Sequence, residues 1–302
     1  MTADVASESW YSARRLAWAF WLGLFGFVIQ GLGGAEIGSM AVMANAGHLL
    51  ADLGGVGLAW WAAHLEMAPP TWRNTYGYRR SGIVAALVNS LILILIALGI
   101  IAGAGFDLLH PHPVPANSMS VLAFLGLAIN AVGAWVVKPD HGLDLNRRAV
   151  FWHLIGDGLG SLAVAAAAGL QAVTGWAGFD PLAAMAIAAL VGWMGIRIGR
   201  ESIDILMEAT PRGIEPYAVL QALLADEAVL EVHHLHIWAI APDHNALSAH
   251  VRLKDMPLSQ GQALLDRCQK MLQSRFRIGH VTLQLETEVH EGAEECGKPS
   301  SR

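Results

Sequence analysis

Six apolar runs of spanning length decide what this chain can fold into. They are roughly Leu16–Gly34, Met40–His64, Gly82–Gly105, Met119–Val137, Ala149–Val173 and Pro181–Ile198. About 20 apolar residues in a helix cross the hydrocarbon layer of a bilayer, where every backbone polar group must be paired within its own segment. The third run, Ile83-Val-Ala-Ala-Leu-Val-Asn-Ser-Leu-Ile-Leu-Ile-Leu-Ile-Ala-Leu98, is the plainest. The fifth is rich in small residues (Gly156, Gly158, Gly160, Ser161, Ala165 to Ala168) and reads as an interior helix. Asp180-Pro181 opens the sixth, with Asp180 read as its N-cap rather than as a ligand. Of 302 residues, 54% are hydrophobic and 15% charged, and the mean hydropathy is +0.44. Those values exclude an ordinary soluble domain and leave room for a smaller one after the spans.

Loop charges set the orientation. Arg14 and Arg15, then Arg73, Arg79 and Arg80, then Lys138, Arg147 and Arg148, and finally Arg197 and Arg200 all fall on one side of the six runs. The other three loops, Ala35–Ser39, Phe106–Ser118 and Thr174–Asp180, hold no Lys or Arg. Positive residues stay inside, so both termini are expected in the cytoplasm. Met1–Ser12 reads as polar and disordered, within a short cytoplasmic segment of residues 1–15. The first run lacks a signal-peptide pattern and is expected to be retained. Cys268 and Cys296 are too few and too ill-placed for a disulfide framework.

Beyond a transport domain of residues 16–200 and a linker of residues 201–215, the periodicity changes. Pro216–Asp226 reads as a helix, Leu230–Ile240 and Ala246–Leu253 as strands, Leu258–Phe276 as an amphipathic helix and His280–Glu288 as a third strand. The order α-β-β-α-β predicts a small cytoplasmic α+β domain, residues 216–289, of ferredoxin-like or heavy-metal-domain type. The polar tail, residues 290–302, reads as disordered.

Two costly pairs sit inside the apolar runs. His48 and Asp52 are i, i+4 on one helix, and His153 and Asp157 repeat the spacing on another. A carboxylate at the bilayer centre costs ~2.5–3.5 kcal/mol on insertion scales. Gln30, Asn89 and Asn130 read as hydrogen-bonding glue between helices, a role too small for two matched His/Asp pairs. Two imidazoles and two carboxylates make a tetrahedral site suited to Zn²⁺, with Co²⁺, Cd²⁺, Ni²⁺ or Fe²⁺ less favoured. Two ionised Asp and two neutral His around a divalent ion sum to zero charge. Two protons on the same groups also give zero, so metal and protons compete. The pattern predicts a metal/proton antiporter. An intramembrane metalloenzyme would need an open coordination position and a general base, and no such constellation is visible. A membrane metal sensor without flux is the other alternative. Asn45, one turn before His48, is placed to orient that histidine or tune the metal.

Strict alternation in the C-terminal strands puts Val281, Leu283 and Leu285 on one face and His280, Gln284 and Glu286 on the other. It likewise sets His250 away from Leu247, Ala249 and Val251. His234, His236 and Trp238 separate from His233, Leu235 and Ile237, so His233 reads as a core histidine. His234, His236, His250, His280 and Glu286 are therefore expected to share a polar face holding one or two Zn²⁺. The competing reading is a solvated histidine-rich face at a dimer contact.

Several segments resemble the cation diffusion facilitator family of divalent-metal/proton antiporters. They are Asn45-Ala-Gly-His-Leu-Leu-Ala-Asp52, Thr75-Tyr-Gly-Tyr-Arg-Arg80, Asp144-Leu-Asn146, His153-Leu-Ile-Gly-Asp-Gly-Leu-Gly-Ser161 and Asp180-Pro181. Glu201-Ser-Ile-Asp-Ile-Leu206, Thr210-Pro-Arg-Gly213, Leu235-His-Ile-Trp238, Leu247-Ser-Ala-His-Val251 and His280-Val-Thr-Leu-Gln-Leu-Glu286 continue the match. The resemblance implies six transmembrane helices, a cytoplasmic metal-binding domain and a homodimer in a membrane, expected to be the bacterial inner membrane. It implies that His48, Asp52, His153 and Asp157 are the transport site, and it keeps a ligand role open for His233. Zn²⁺ bound on the polar face of the sheet is expected to draw two subunits together, a regulatory role. Two His and two Asp suggest the zinc-preferring subgroup, near the bacterial cobalt-zinc-cadmium resistance exporters. The chain departs from the pattern at Asn45 and His234, where Asp is common, and at Gly82, where Glu is common. Its loop Val137–Asn146 offers only His141 where relatives are often histidine-rich.

Overall fold

The computed structural model describes residues 2–110, 112, 114–138, 145–241 and 244–288. Six long helices come first: α1 (Thr2–Ile37), α2 (Met40–Glu66), α3 (Ser81–Leu109), α4 (Ala116–Val137), α5 (Leu145–Thr174) and α6 (Phe179–Leu206). They are followed by α7 (Pro216–Leu224), β1 (Val229–Ala241), β2 (His244–Leu253), α8 (Leu258–Phe276) and β3 (Ile278–Glu286). The chain divides into two compact units, Met1–Trp61 with Ala85–Gly199, and Ala62–Val84 with Arg200–Arg302. The loop between α2 and α3 thus groups with the C-terminal segment, not with the helices it joins. His141, Cys296 and the tail expected to be disordered lie outside the described residues.

Among the described residues, five helices are long and apolar enough to cross a membrane: Ala17–Ile37, Ser81–Leu109, Ala116–Val137, Val150–Thr174 and Phe179–Leu206. Helix α2 is also 27 residues long, but Asn45, His48, Asp52 and His64 lower its hydropathy. The N-terminal expectation is corrected: residues from Thr2 are helical and continuous with α1. No Gly or Pro interrupts residues 2–22, and a nucleated helix gains one hydrogen bond for each residue it adds.

In the first unit, size sorts residues the way a hydrocarbon solvent requires. Ala41, Ala44, Ala51, Ala104, Ala123, Ala168 and Ala184 are buried, while Trp18, Leu95, Phe124, Trp135, Leu159 and Leu190 are exposed. Small residues let helix backbones approach, and large ones face outward. Helix α5 packs closely on α4. It is not wholly interior in the single chain, because Leu159, Leu170 and Val173 remain exposed on its other face.

Asp180 is a cap, though not of the helix expected. It lies inside the first turn of α6, is fully buried, and serves the start of α2. Its carboxylate accepts hydrogen bonds from the Ser39 hydroxyl, from the Met40 N–H at 2.8 Å and from the Ala41 N–H at 3.3 Å. Ser39 Oγ in turn accepts from the Val42 N–H at 3.2 Å. Orphan N–H groups and the positive end of α2 thus meet one anion held by another helix.

The second unit carries a sheet in the order β1-β2-β3. Strands β1 and β2 pair antiparallel, and β2 and β3 pair parallel across the α8 crossover. The expected order α-β-β-α-β is present. A complete ferredoxin-like βαββαβ unit has a fourth strand. Val219 and Leu223 of α7 and Leu264 and Leu272 of α8 bury against Leu247, Val251 and Ile278. Strand β3 begins two residues before its expected start because Arg277, at φ 56 and ψ 35, stops α8 in the left-handed conformation.

Candidate metal centres

Helices α2 and α5 bring four side chains together. His48 Nδ1 lies 3.6 Å from Asp52 Oδ2, and His48 Nε2 lies 3.5 Å from Asp157 Oδ1. His153 Nε2 is 3.4 Å from Asp52 Oδ2 and 3.7 Å from Asp157 Oδ2. The i, i+4 spacing aims each pair from one helix face. Packing of the two helices then makes the cluster. His48, Asp52 and Asp157 each offer one donor atom within 4.8 Å of the others, and His153 Nε2 stands beside both carboxylates, the donor types that suit a tetrahedral Zn²⁺. His48 Nδ1 and Asp52 Oδ2 are buried with no hydrogen-bond partner, a costly arrangement for polar atoms. Asp157 is nearly sealed, with 4% of its side chain exposed, whereas His153 is 43% exposed. One edge of the cluster is therefore open.

Asn45 makes its hydrogen bonds away from this cluster. Its amide donates to Gln30 Oε1 at 2.6 Å and to Ser161 Oγ at 3.3 Å. The result is a buried polar link among α1, α2 and α5. A Cβ at Gly126 would stand 2.7 Å from Gln30 Nε2 and 2.8 Å from Ser161 Oγ, so glycine is what lets α4 close over the link. Asn89 Oδ1 and Asn130 Nδ2 are buried without hydrogen-bond partners, which leaves their expected gluing role without a bond to show for it.

The sheet holds a second cluster that differs from the one expected by alternation. His250 Nδ1 is 2.7 Å from Glu286 Oε1, and His233 Nε2 is 3.3 Å from Glu286 Oε2. His233, His250 and Glu286 each offer a donor within 4.8 Å of the others. His233 thus joins the cluster instead of the core. The cause is a β-bulge: His233 pairs with His250 and His236 with Ser248, and His234 at φ 50 absorbs the extra residue. Beyond the bulge the expected parity holds, with Ile237 buried. His234 stacks on His250 with ring centroids 5.0 Å apart, and His236 lies farther out, 6.5 Å from His234.

His280 is the other correction. It pairs with Ala246 near the far end of β2, while Gln284 pairs with His250. At about 3.3 Å per residue, His280 lies about 20 Å along β3 from Glu286, and its ring meets Tyr76 edge-on. Both ring nitrogens of His233 and Glu286 Oε2 are buried without hydrogen-bond partners. Such atoms fit a resident cation in donor type and in need.

Comparisons with known proteins point the same way. Residues 16–207 match the family described as the cation efflux transmembrane domain, and residues 211–288 match the cation efflux protein cytoplasmic domain. The chain is 35% identical over 266 residues to a cadmium, cobalt and zinc/H(+)-K(+) antiporter of Bacillus subtilis, covering 87% of this chain and 85% of that one. It is 33% identical to the zinc transporter ZitB of Escherichia coli, over 91% of this chain and 88% of the relative. It is 32% identical to the metal cation efflux system protein CzcD of Cupriavidus metallidurans, over 86% and 82% respectively.

Proposed function

The chain belongs to the cation efflux family, as a membrane transporter of divalent metal ions and not an enzyme, and from that premise we propose that it exports Zn²⁺ in exchange for protons. One observation carries the proposal: Asp52 and Asp157 each lie within 3.7 Å of both His48 and His153. Zn²⁺ is the substrate, held by one nitrogen or oxygen from each residue. With the ion bound, two carboxylates and two neutral imidazoles leave no net charge in low dielectric. When the ion leaves, protons restore that neutrality, so the empty carrier returns loaded with protons. Alternating access between the two membrane faces converts this competition into antiport. Six spans with cytoplasmic termini follow from the loop charges, with α2 as the span its own site residues make less apolar.

The chain works as a homodimer in this reading, and His233, His250 and Glu286, with His234 stacked beside them, hold a regulatory Zn²⁺ in the cytoplasmic unit. Deprotonated imidazole and carboxylate are suited to that ion. A broader metal range is the second reading, supported by the cadmium and cobalt in the Bacillus subtilis relative's name. Proteoliposomes loaded with the purified protein test the exchange. Zinc flux should rise several-fold under an imposed opposing proton gradient and fall when an ionophore dissipates it. Flux indifferent to the gradient contradicts antiport, and cadmium or cobalt flux exceeding zinc flux selects the second reading.

A further inference from the structure

The residues that alternation misassigned lead to a different feature. A groove of about 560 Å³ in the second unit is lined by Tyr76, Arg79, His244, Asn245, Arg277 and His280, among others. Every described ionisable side chain lining it, apart from the Tyr76 phenol, is basic, and none is a carboxylate. Arg277 adds a second, independent observation. It ends α8 at φ 56, a left-handed conformation that glycine adopts freely and an arginine adopts only at a cost. Asn245 Nδ2 donates to the Arg277 carbonyl at 3.3 Å, which ties the strained residue to β2. A Cβ on Gly279 would meet nothing within 4 Å, so the groove has room beside the arginine.

We propose that this groove binds a phosphate group. Guanidinium forks match phosphate oxygens in two-point geometry, and the two histidines add ring N–H donors. The phosphate has two possible sources, the headgroup of an anionic phospholipid or a free phosphate. Residues 67–80 join α2 to α3 directly, so Tyr76 and Arg79 belong to a loop that starts and ends at membrane helices. Trp72 and Met67 of the same loop are fully or largely exposed, as interfacial residues are. Access to a cytoplasmic-leaflet lipid rests on the topology proposed above; the groove's chemistry does not.

The test titrates the full-length protein in non-ionic detergent with inorganic phosphate, dihexanoyl phosphatidylglycerol and dihexanoyl phosphatidylcholine, read by calorimetry. The expected result is saturable binding of phosphatidylglycerol, inorganic phosphate or both, about tenfold weaker or more in Arg79→Gln and in Arg277→Gly. Glycine suits the left-handed position, so Arg277→Gly should fold as well as the wild type, checked by its unfolding midpoint. Phosphatidylglycerol binding alone identifies the lipid headgroup, and competition by inorganic phosphate identifies a free phosphate site. No saturable binding, binding of phosphatidylcholine as tight as that of phosphatidylglycerol, or wild-type affinity in either variant overturns the proposal. Zinc flux measured after reconstituting the same purified protein into proteoliposomes is independent of these outcomes, so failure of transport and failure of the phosphate site are distinguishable.

Discussion

Each carboxylate of the membrane cluster is shared by two imidazoles from different helices, so no single pair owns the site. The i, i+4 spacing of His48/Asp52 and His153/Asp157 made this much legible in the sequence, since helix geometry alone puts each pair on one face. The role of Asn45 was not legible, because its partners, Gln30 and Ser161, lie 15 and 116 residues away. Replacing Asn45 by Ala leaves those two groups short of a buried hydrogen bond. Asn45→Ala should lose about 1 kcal/mol of stability, read as a lower unfolding midpoint in detergent, while zinc binding to the membrane site changes by less than about tenfold. A larger loss of zinc affinity than of stability would show that Asn45 acts on His48 after all. His233 was hidden for a different reason. Period-2 reading assumes an unbroken ladder, and one left-handed residue at His234 reverses the faces behind it.

At the scale of elements, periodicity and breakers located the three strands to within two residues and the middles of the long helices, with α1 starting well before Leu16 and α6 running on to Leu206. They did not show which helix end a given side chain serves. Asp180 precedes Pro181 and so reads as the cap of its own helix, yet its bonds go to Ser39, Met40 and Ala41. Asp180→Asn keeps the shape and removes the charge facing the α2 N-terminus. It should cost about 1–2 kcal/mol and lower the unfolding midpoint, whereas an unchanged midpoint would mean that the α2 N-terminus gains nothing from that charge. In the cytoplasmic unit, Arg267 donates two bonds to Asp226 Oδ2, at 2.8 and 3.2 Å, and this guanidinium holds the Asp226 carboxyl below the usual carboxylate range. A depressed folded-state value adds stability above the unfolded carboxyl's own pKa and loses it as pH falls through the folded value. Because the pair is solvent-facing, it is worth under about 1 kcal/mol. Arg267→Ala should therefore unfold more easily than wild type at about pH 6 in denaturant, with the difference closing as pH falls through the depressed Asp226 value. A difference that persisted at the acid end would have to come from packing.

For the whole molecule, the division into a helical unit and a C-terminal α+β unit follows from hydropathy, and the loop charges alone suggest which side the second unit occupies. The assignment of residues 62–84 to the second unit was not legible, because nothing in a loop's composition says which neighbours it packs against. The same holds for His280, whose chemistry suggested a metal and whose register sets it in the basic groove. The central claim concerns the four side chains between α2 and α5, and it is tested most directly by zinc flux through Asp157→Ala in proteoliposomes. Asp157 is the most buried member of the cluster, and removing it leaves both histidines without one of their two carboxylates and a bound Zn²⁺ with an uncancelled charge. Losing one partner of a buried charge pair costs about 3–5 kcal/mol, so flux should fall by about 100-fold or more in protein that still folds and inserts. Zinc flux within a few-fold of wild type in that variant would contradict the account.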